Sequence, residues 1–345
     1  MKLAVNLSYQ GAADLAVRAE QNGFAMALAP EGYKSDAASV LGLVAGHTKR
    51  IRLASGVMQI PARPPALTAL TAATLDWISG GRFVLGLGVS NPDVSVGWYG
   101  VGFENPLGRT REYVDIVRRA LTGAPVTYDG EHFKLPAAGG AAAPLQVYTE
   151  PIRRPIPVYL AAVGPKNLRL TGEIADGWIG VFTSPDMVAK AVVELESGMD
   201  RREHRPDSFD VMPCLPTVID ELDAAADQLR AHYAYMLGIG ARATNFYCAL
   251  GRRLGYAQEI DRVRDRIAVG DRAGAGAAVP RGLIEDTALI GPVEQIADRM
   301  LAYSEAGATT LSIMVSAADV ALERRLAIVE AAAEALERSG VGEFE

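Results

Sequence analysis

The sequence predicts a (β/α)8 barrel of the TIM type with insertions in its βα loops, and three observations point there. Eight short apolar runs punctuate the chain, helical periodicity fills most of the gaps between them, and 345 residues fit one barrel with its excess in loops. A doubly wound open sheet is the rival, which usually needs fewer strands. The strand-like runs are 2–7, 24–29, 51–57, 82–89, 157–162, 177–182, 209–219 and 309–315. Helical patterning covers 12–21, with Gly23 as its stop, then 36–45, 66–78 closed by Ser79-Gly80-Gly81, and 106–121. It resumes at 166–174, 185–197, in segments of 221–269, after Pro292, which suits a first helical turn, and at 320–338. Strands joined through helices are parallel, because a crossover helix returns the chain to the same end of the sheet.

The alternation breaks twice, near 123–150 and 220–290, and both breaks read as insertions into a single domain spanning 1–345. Asp129-Gly130 between strand-like flanks signals a hairpin within 126–135. Two stretches rich in alanine and glycine, 137–144 and 270–280, read as mobile loops.

Hydrophobic residues make up 49% of the chain and charged ones 22%, the composition of a globular protein with ample core. A formal charge of -7 argues against a dedicated nucleic-acid binder, whose affinity rests on neutralising phosphates. Two cysteines make no disulfide framework, and four histidines show no paired metal spacing. No apolar run reaches the roughly 18 residues of a membrane span. The first residues read as a strand and not as a signal peptide, so a cytoplasmic location is expected.

In such barrels chemistry gathers where strands end. Those ends carry Asn6 and Ser8; Pro30 to Gly32; Ser55 to Gln59; Gly88 to Asn91; Ala162 to Pro165; Thr183 and Ser184; Met212 to Thr217; and Val315 and Ser316. With one carboxylate and no histidine, lysine or metal cluster, the mouth suits a borrowed cofactor. Ala161, Ala162, Val163, Gly164 and Pro165 expose backbone N–H groups at a helix start, which suits a phosphate, or else they merely permit a tight turn. The glycines of Gly86-Leu87-Gly88 suit the approach of a flat ligand to the backbone. Tyr9, Tyr33, Trp98 and Tyr99 are candidates to stack on a substrate or to anchor loops. His232, Tyr233 and Tyr235 are candidates for a substrate role, whereas His132, Phe133 and Cys214 read as structural.

Several segments, taken in order, resemble the bacterial luciferase-like superfamily and within it the branch dependent on the deazaflavin coenzyme F420. They are RIRLASGV at 50–57, TLDWISGGRFVLGLG at 74–88, RTREY at 109–113 and YDGEHF at 128–133. Others are 157–164 followed by ADGW at 175–178, and Ile290-Gly291-Pro292 with AGATT at 306–310. The resemblance implies hydride transfer between the deazaflavin and a small organic substrate. It places a cis peptide bulge at Gly56-Val57 behind the ring, Gln59 at the ring's polar edge, and the phosphate on Ala161 to Gly164. Gly88, Ser90 and Asn91 would touch the cofactor tail or the substrate. Glu31 would lie beside the ring, as proton donor or as an orienting group. Where sugar-phosphate dehydrogenases of this branch have a histidine, a glutamate and a lysine, this chain has Gly32, Asn91 and Pro185, which argues against that substrate. The alternatives are an FMN-dependent monooxygenase of the same superfamily and a cofactor-free barrel acting as an accessory subunit. A homodimer is expected by analogy.

Overall fold

The computed structural model describes residues 1–32, 35–137 and 142–343. Eight parallel strands close on themselves: β1 Lys2–Asn6, β2 Met26–Ala29, β3 Arg52–Ser55, β4 Phe83–Gly88, β5 Val158–Ala161, β6 Gly177–Val181, β7 Asp210–Ile219 and β8 Thr310–Met314. Each pairs with its sequence neighbour, and Lys2↔Thr310 closes the ring between β1 and β8. This is the barrel that the apolar runs predict. Its strands read as continuous apolar runs because both of their faces are covered.

Inward-facing Ala4, Met26, Leu28, Ala54, Val84, Tyr159, Ile179, Met212 and Cys214 fill the barrel, while the larger core lies between strands and helices. Proline opens five of the helices, Pro65–Ile78, Pro92–Gly97, Pro106–Leu121, Pro165–Ile174 and Pro185–Met199, where its missing N–H costs nothing. Pro292 sits one residue earlier than expected, as the N-cap of helix Val293–Glu305.

The insertion after β7 carries the helices Leu222–Gly238, Phe246–Arg253, Ala257–Ala268, Arg272–Ala278 and Arg281–Thr287. They bury their own cluster around Leu229, Tyr233, Leu237, Ile260 and Leu283. Residues 272–278 are therefore helix and not the loop that their composition suggested. The Asp271 carboxylate accepts from the Gly274 N–H at 2.8 Å and caps the helix, and Ala275 and Gly276 are buried in it. Of the other alanine- and glycine-rich stretch, residues 138–141 lie outside the described residues.

The hairpin expected around Asp129-Gly130 forms, pairing Tyr128 with Leu135 and Asp129 with Lys134. The Glu112 carboxylate holds it, accepting from the N–H groups of Glu131, His132 and Phe133 at 2.8, 2.9 and 3.0 Å. Among the described residues no helix is long and apolar enough to cross a membrane.

Candidate active site

The mouth is organised by a break in the β3–β4 ladder. Ala54 pairs with Val84, yet the next pairing is Met58 with Leu87, so the β3 side carries one extra residue, a β-bulge. The Gly56-Val57 peptide within it is cis, as the resemblance implies. The Ser55 hydroxyl replaces the lost ladder bonds. It donates to the Gly86 carbonyl at 2.8 Å and accepts from the Gly86 N–H at 2.9 Å.

Glycine is required around this bulge by the protein's own packing. A Cβ on Gly86 would lie 1.9 Å from the Ser55 carbonyl oxygen, and one on Gly88 would lie 2.7 Å from Val57 Cγ2. A Cβ on Gly56 would meet Leu28 at 2.9 Å. The β4 glycines thus make room for the bulge, and only through it for a ligand.

Beside the bulge, Glu31 and Arg63 form a two-pronged ion pair. Arg63 Nε lies 3.1 Å from each carboxylate oxygen, and Nη2 donates to Oε2 at 2.7 Å. The two side chains are 6% and 14% exposed. Gln59 joins from two sides: its N–H donates to Glu31 Oε1 at 3.2 Å, and its amide Nε2 donates to the Glu31 carbonyl at 2.9 Å. With Nε2 committed, Gln59 Oε1 is left buried and without a hydrogen-bond partner. An unsatisfied acceptor of this kind calls for a donor from outside the chain.

Arg63 is fixed from behind, since the Tyr113 hydroxyl donates to its carbonyl at 3.1 Å and lies 2.6 Å from Thr68 Oγ1. The Glu31–Arg63 pair also reaches Tyr99. Burial, together with the Glu31 charge, raises the Tyr99 hydroxyl above the ordinary tyrosine value, and Arg63 opposes this only in part, so Tyr99 keeps its proton.

The segment from Ala161 to Pro165 leads from the end of β5 into helix Pro165–Ile174. Its carbonyls are engaged: Ala162 accepts from Trp178 Nε1 at 2.9 Å and Val163 from Arg253 at 3.4 Å. Gly164 is the N-cap of helix Pro165–Ile174 and supplies no side-chain cap, so the first-turn N–H groups receive none from it. Beyond it opens a cavity of about 870 Å³ whose lining mixes charges, with Asp186, Glu194 and Asp286 beside Lys190, Arg253 and Arg299. Ser90 adopts a left-handed φ of +63°, and the Asn91 side chain caps helix Pro92–Gly97, accepting from the Val94 N–H at 3.0 Å.

Other candidates lie elsewhere. Tyr233 is buried in the insertion core and bonded to Thr287 at 2.7 Å, with His232 packed edge-on to it and Tyr235 exposed. Tyr9 and Trp98 are exposed, and Tyr33 lies outside the described residues. Burial pushes the Cys214 thiol up to about 12, which suits an inert core residue. Among the described residues no group of side chains could hold a metal ion. Sequence reasoning missed Arg63. Its signal is the flanking Pro61 and Pro64, which stiffen the chain just after Gln59.

Residues 3–310 match the family model described as luciferase-like monooxygenase. A Mycobacterium tuberculosis protein, provisionally named a coenzyme F420-dependent oxidoreductase, is 39% identical over 335 residues, spanning 92% of this chain and 96% of that one. The 5,10-methylenetetrahydromethanopterin reductase of Archaeoglobus fulgidus is 30% identical over 298 residues, or 84% of this chain and 85% of that one. The solved coenzyme F420-dependent tetrahydromethanopterin reductase of Methanopyrus kandleri superposes with a TM-score of 0.82 at 25% identity, covering 96% of this chain and 97% of that one. By barrel, bulge and sequence, the chain belongs to the luciferase-like monooxygenase family.

Proposed function

We propose that this protein is a coenzyme F420-dependent oxidoreductase acting on a small organic substrate at the barrel mouth. When bound, the deazaflavin supplies or accepts the hydride. The observation that carries this reading is the unpartnered Gln59 Oε1 beside the bulge. Deazaflavins and flavins alike present an imide N–H on their polar edge, a donor that suits this acceptor. Full-length similarity to F420-dependent relatives supports the choice of coenzyme.

The chain's own residues divide the work of holding it. Gly56 and Val57 would back the ring, Gln59 would read its edge, Gly88, Ser90 and Asn91 would border its tail, and Ala161 to Pro165 would take the phosphate. Glu31 serves as a positioning group. It accepts bonds from Arg63 and Gln59 and so fixes both at the polar edge of the mouth. Orientation of this kind lowers the barrier by fixing the reacting atoms before the step.

We also propose that the protein is a homodimer. Helix Pro65–Ile78 exposes Leu67, Leu70, Trp77 and Ile78, and the neighbouring helix Ala37–His47 exposes Leu43. The one charged residue of Pro65–Ile78, Asp76, is buried against Arg153. The two helices, roughly 16 and 21 Å long, lie side by side and form an apolar patch that a two-fold axis could pair with its copy at the centre of a larger interface.

Turnover under anaerobic conditions tests the function. Reduced F420 should be reoxidised by a member of a panel of C=C, C=N and C=O acceptors without dioxygen. Turnover that requires dioxygen and reduced FMN would overturn the reading.

A further inference from the structure

Asp93 lies in the first turn of helix Pro92–Gly97, just beyond β4. Its Oδ2 accepts from the Ala241 N–H at 3.2 Å and from the Thr244 hydroxyl at 3.1 Å. Those donors sit in the turn between helices Leu222–Gly238 and Phe246–Arg253, within the insertion after β7. The junction is tight. Gly240 has φ +63°, and a Cβ there would lie 2.2 Å from Asp93 Oδ2, so both backbone and space demand glycine.

Both sides of the junction are braced. The Asn245 amide donates to the carbonyls of Met236, Leu237 and Ile239 at 3.0, 3.3 and 2.7 Å. Arg264 donates to the Leu237 and Gly240 carbonyls, each at 2.9 Å. Opposite them, Asn91 caps the helix bearing Asp93, and the Ser95 hydroxyl donates to the Val101 carbonyl at 2.8 Å. Two preformed segments therefore meet at the Asp93 carboxylate.

Around the barrel, β4, β5, β6 and β7 are successive neighbours. The insertion that follows β7 meets the segment after β4 through Asp93. It meets the Ala161 to Pro165 segment, which follows β5, through Arg253, which donates to the Val163 carbonyl at 3.4 Å. One insertion thus touches two of the segments that the resemblance assigns to the coenzyme.

We propose that Asp93 is a positioning residue which, through the Gly240 to Thr244 turn, holds the insertion against the segment that carries Ser90 and Asn91 and so sets how fast the bound coenzyme leaves. This rests on the reading that coenzyme F420 occupies the mouth. The junction is solvent-exposed, so Asp93→Ala removes both bonds without stranding a buried group.

The test has two arms. Hydrogen exchange of the Ala241 amide in coenzyme-free protein reports the junction itself, and it should speed up in Asp93→Ala. Stopped-flow displacement, followed by deazaflavin fluorescence, reports release of F420. Release should accelerate about tenfold in Asp93→Ala, equivalent to about 1.4 kcal/mol. In steady state the loss should fall on the KM for the coenzyme and not on kcat. Thr244→Val should accelerate release about threefold, and the double variant should release no faster than Asp93→Ala, because the two residues share one carboxylate oxygen. Faster Ala241 exchange with release within twofold of wild type would make the junction a structural contact only and overturn the proposal. Failure of the wild-type protein to bind F420 would overturn the functional reading, and this proposal with it, before any variant is made.

Discussion

Glu31 and Arg63, 32 residues apart in sequence, meet with Nη2 2.7 Å from Oε2, and this pair fixes the polar edge of the mouth. Through it the Gln59 amide is oriented, because Glu31 accepts from both Gln59 nitrogens. The pair leads outward to Tyr113 and Thr68, so helices Pro106–Leu121 and Pro65–Ile78 both support the site.

Arg63→Met leaves a 6%-exposed carboxylate without its ion-pair partner, and removing one member of a largely buried pair is costly. The substitution should lower folding stability by about 2–4 kcal/mol. Adding Glu31→Gln should recover part of that loss, because the stranded charge goes with it. Urea unfolding of the two single variants and the double variant checks this. Losses that simply add would contradict a coupled pair.

Gly86 and Gly164 both lie at the mouth and should respond oppositely to alanine. At Gly86 the new Cβ would meet the Ser55 oxygen at 1.9 Å, a backbone clash that no rotamer relieves. Gly86→Ala should cost about 3 kcal/mol or more, or fail to yield soluble protein. A Cβ at Gly164 would meet nothing within 4 Å, so Gly164→Ala should stay within about 1 kcal/mol of wild type. Thermal unfolding distinguishes the two.

Glu20 sets part of the acid limit. Burial favours its neutral form, but three backbone N–H groups, those of Ile51, Arg50 and Lys49, outweigh it and lower its pKa below the ordinary 4.5. A carboxyl lowered by folding contributes stability that is fully present above 4.5 and fades as pH falls through the folded value. Glu20→Gln should therefore be less stable than wild type at neutral pH, with the gap closing in acid. Chemical denaturation at several values between pH 7 and 3 tests this, and a gap that widens in acid would reverse the sign.

Trp77→Glu combined with Leu70→Glu places charge on the uncharged face of helix Pro65–Ile78. Sedimentation should show a dimer for the wild type and a folded monomer for this variant. A wild-type monomer at micromolar concentration would contradict the assigned face.

Much of the barrel was legible in the chain, since strands covered on both faces must be apolar and proline at helix starts marks the βα boundaries. The cis peptide at Gly56-Val57 was legible through resemblance alone. What pairwise geometry decides was not legible. Arg63 acquires its role only when the fold brings Glu31 to it, and the glycines of β4 answer to Ser55 and Val57 across a ladder. Residues 272–278 read as loop because glycine content hid the cap that Asp271 supplies. The Asp93 junction joins segments about 150 residues apart, beyond the reach of any local pattern.

A competitive binding titration of the purified chain with coenzyme F420 and FMN tests the central claim most directly. The account predicts saturable F420 binding at least a hundredfold tighter than FMN, weakened about tenfold or more by Gln59→Leu through loss of the ring-edge acceptor. FMN binding more tightly than F420, or F420 binding that Gln59→Leu leaves unchanged, would contradict it.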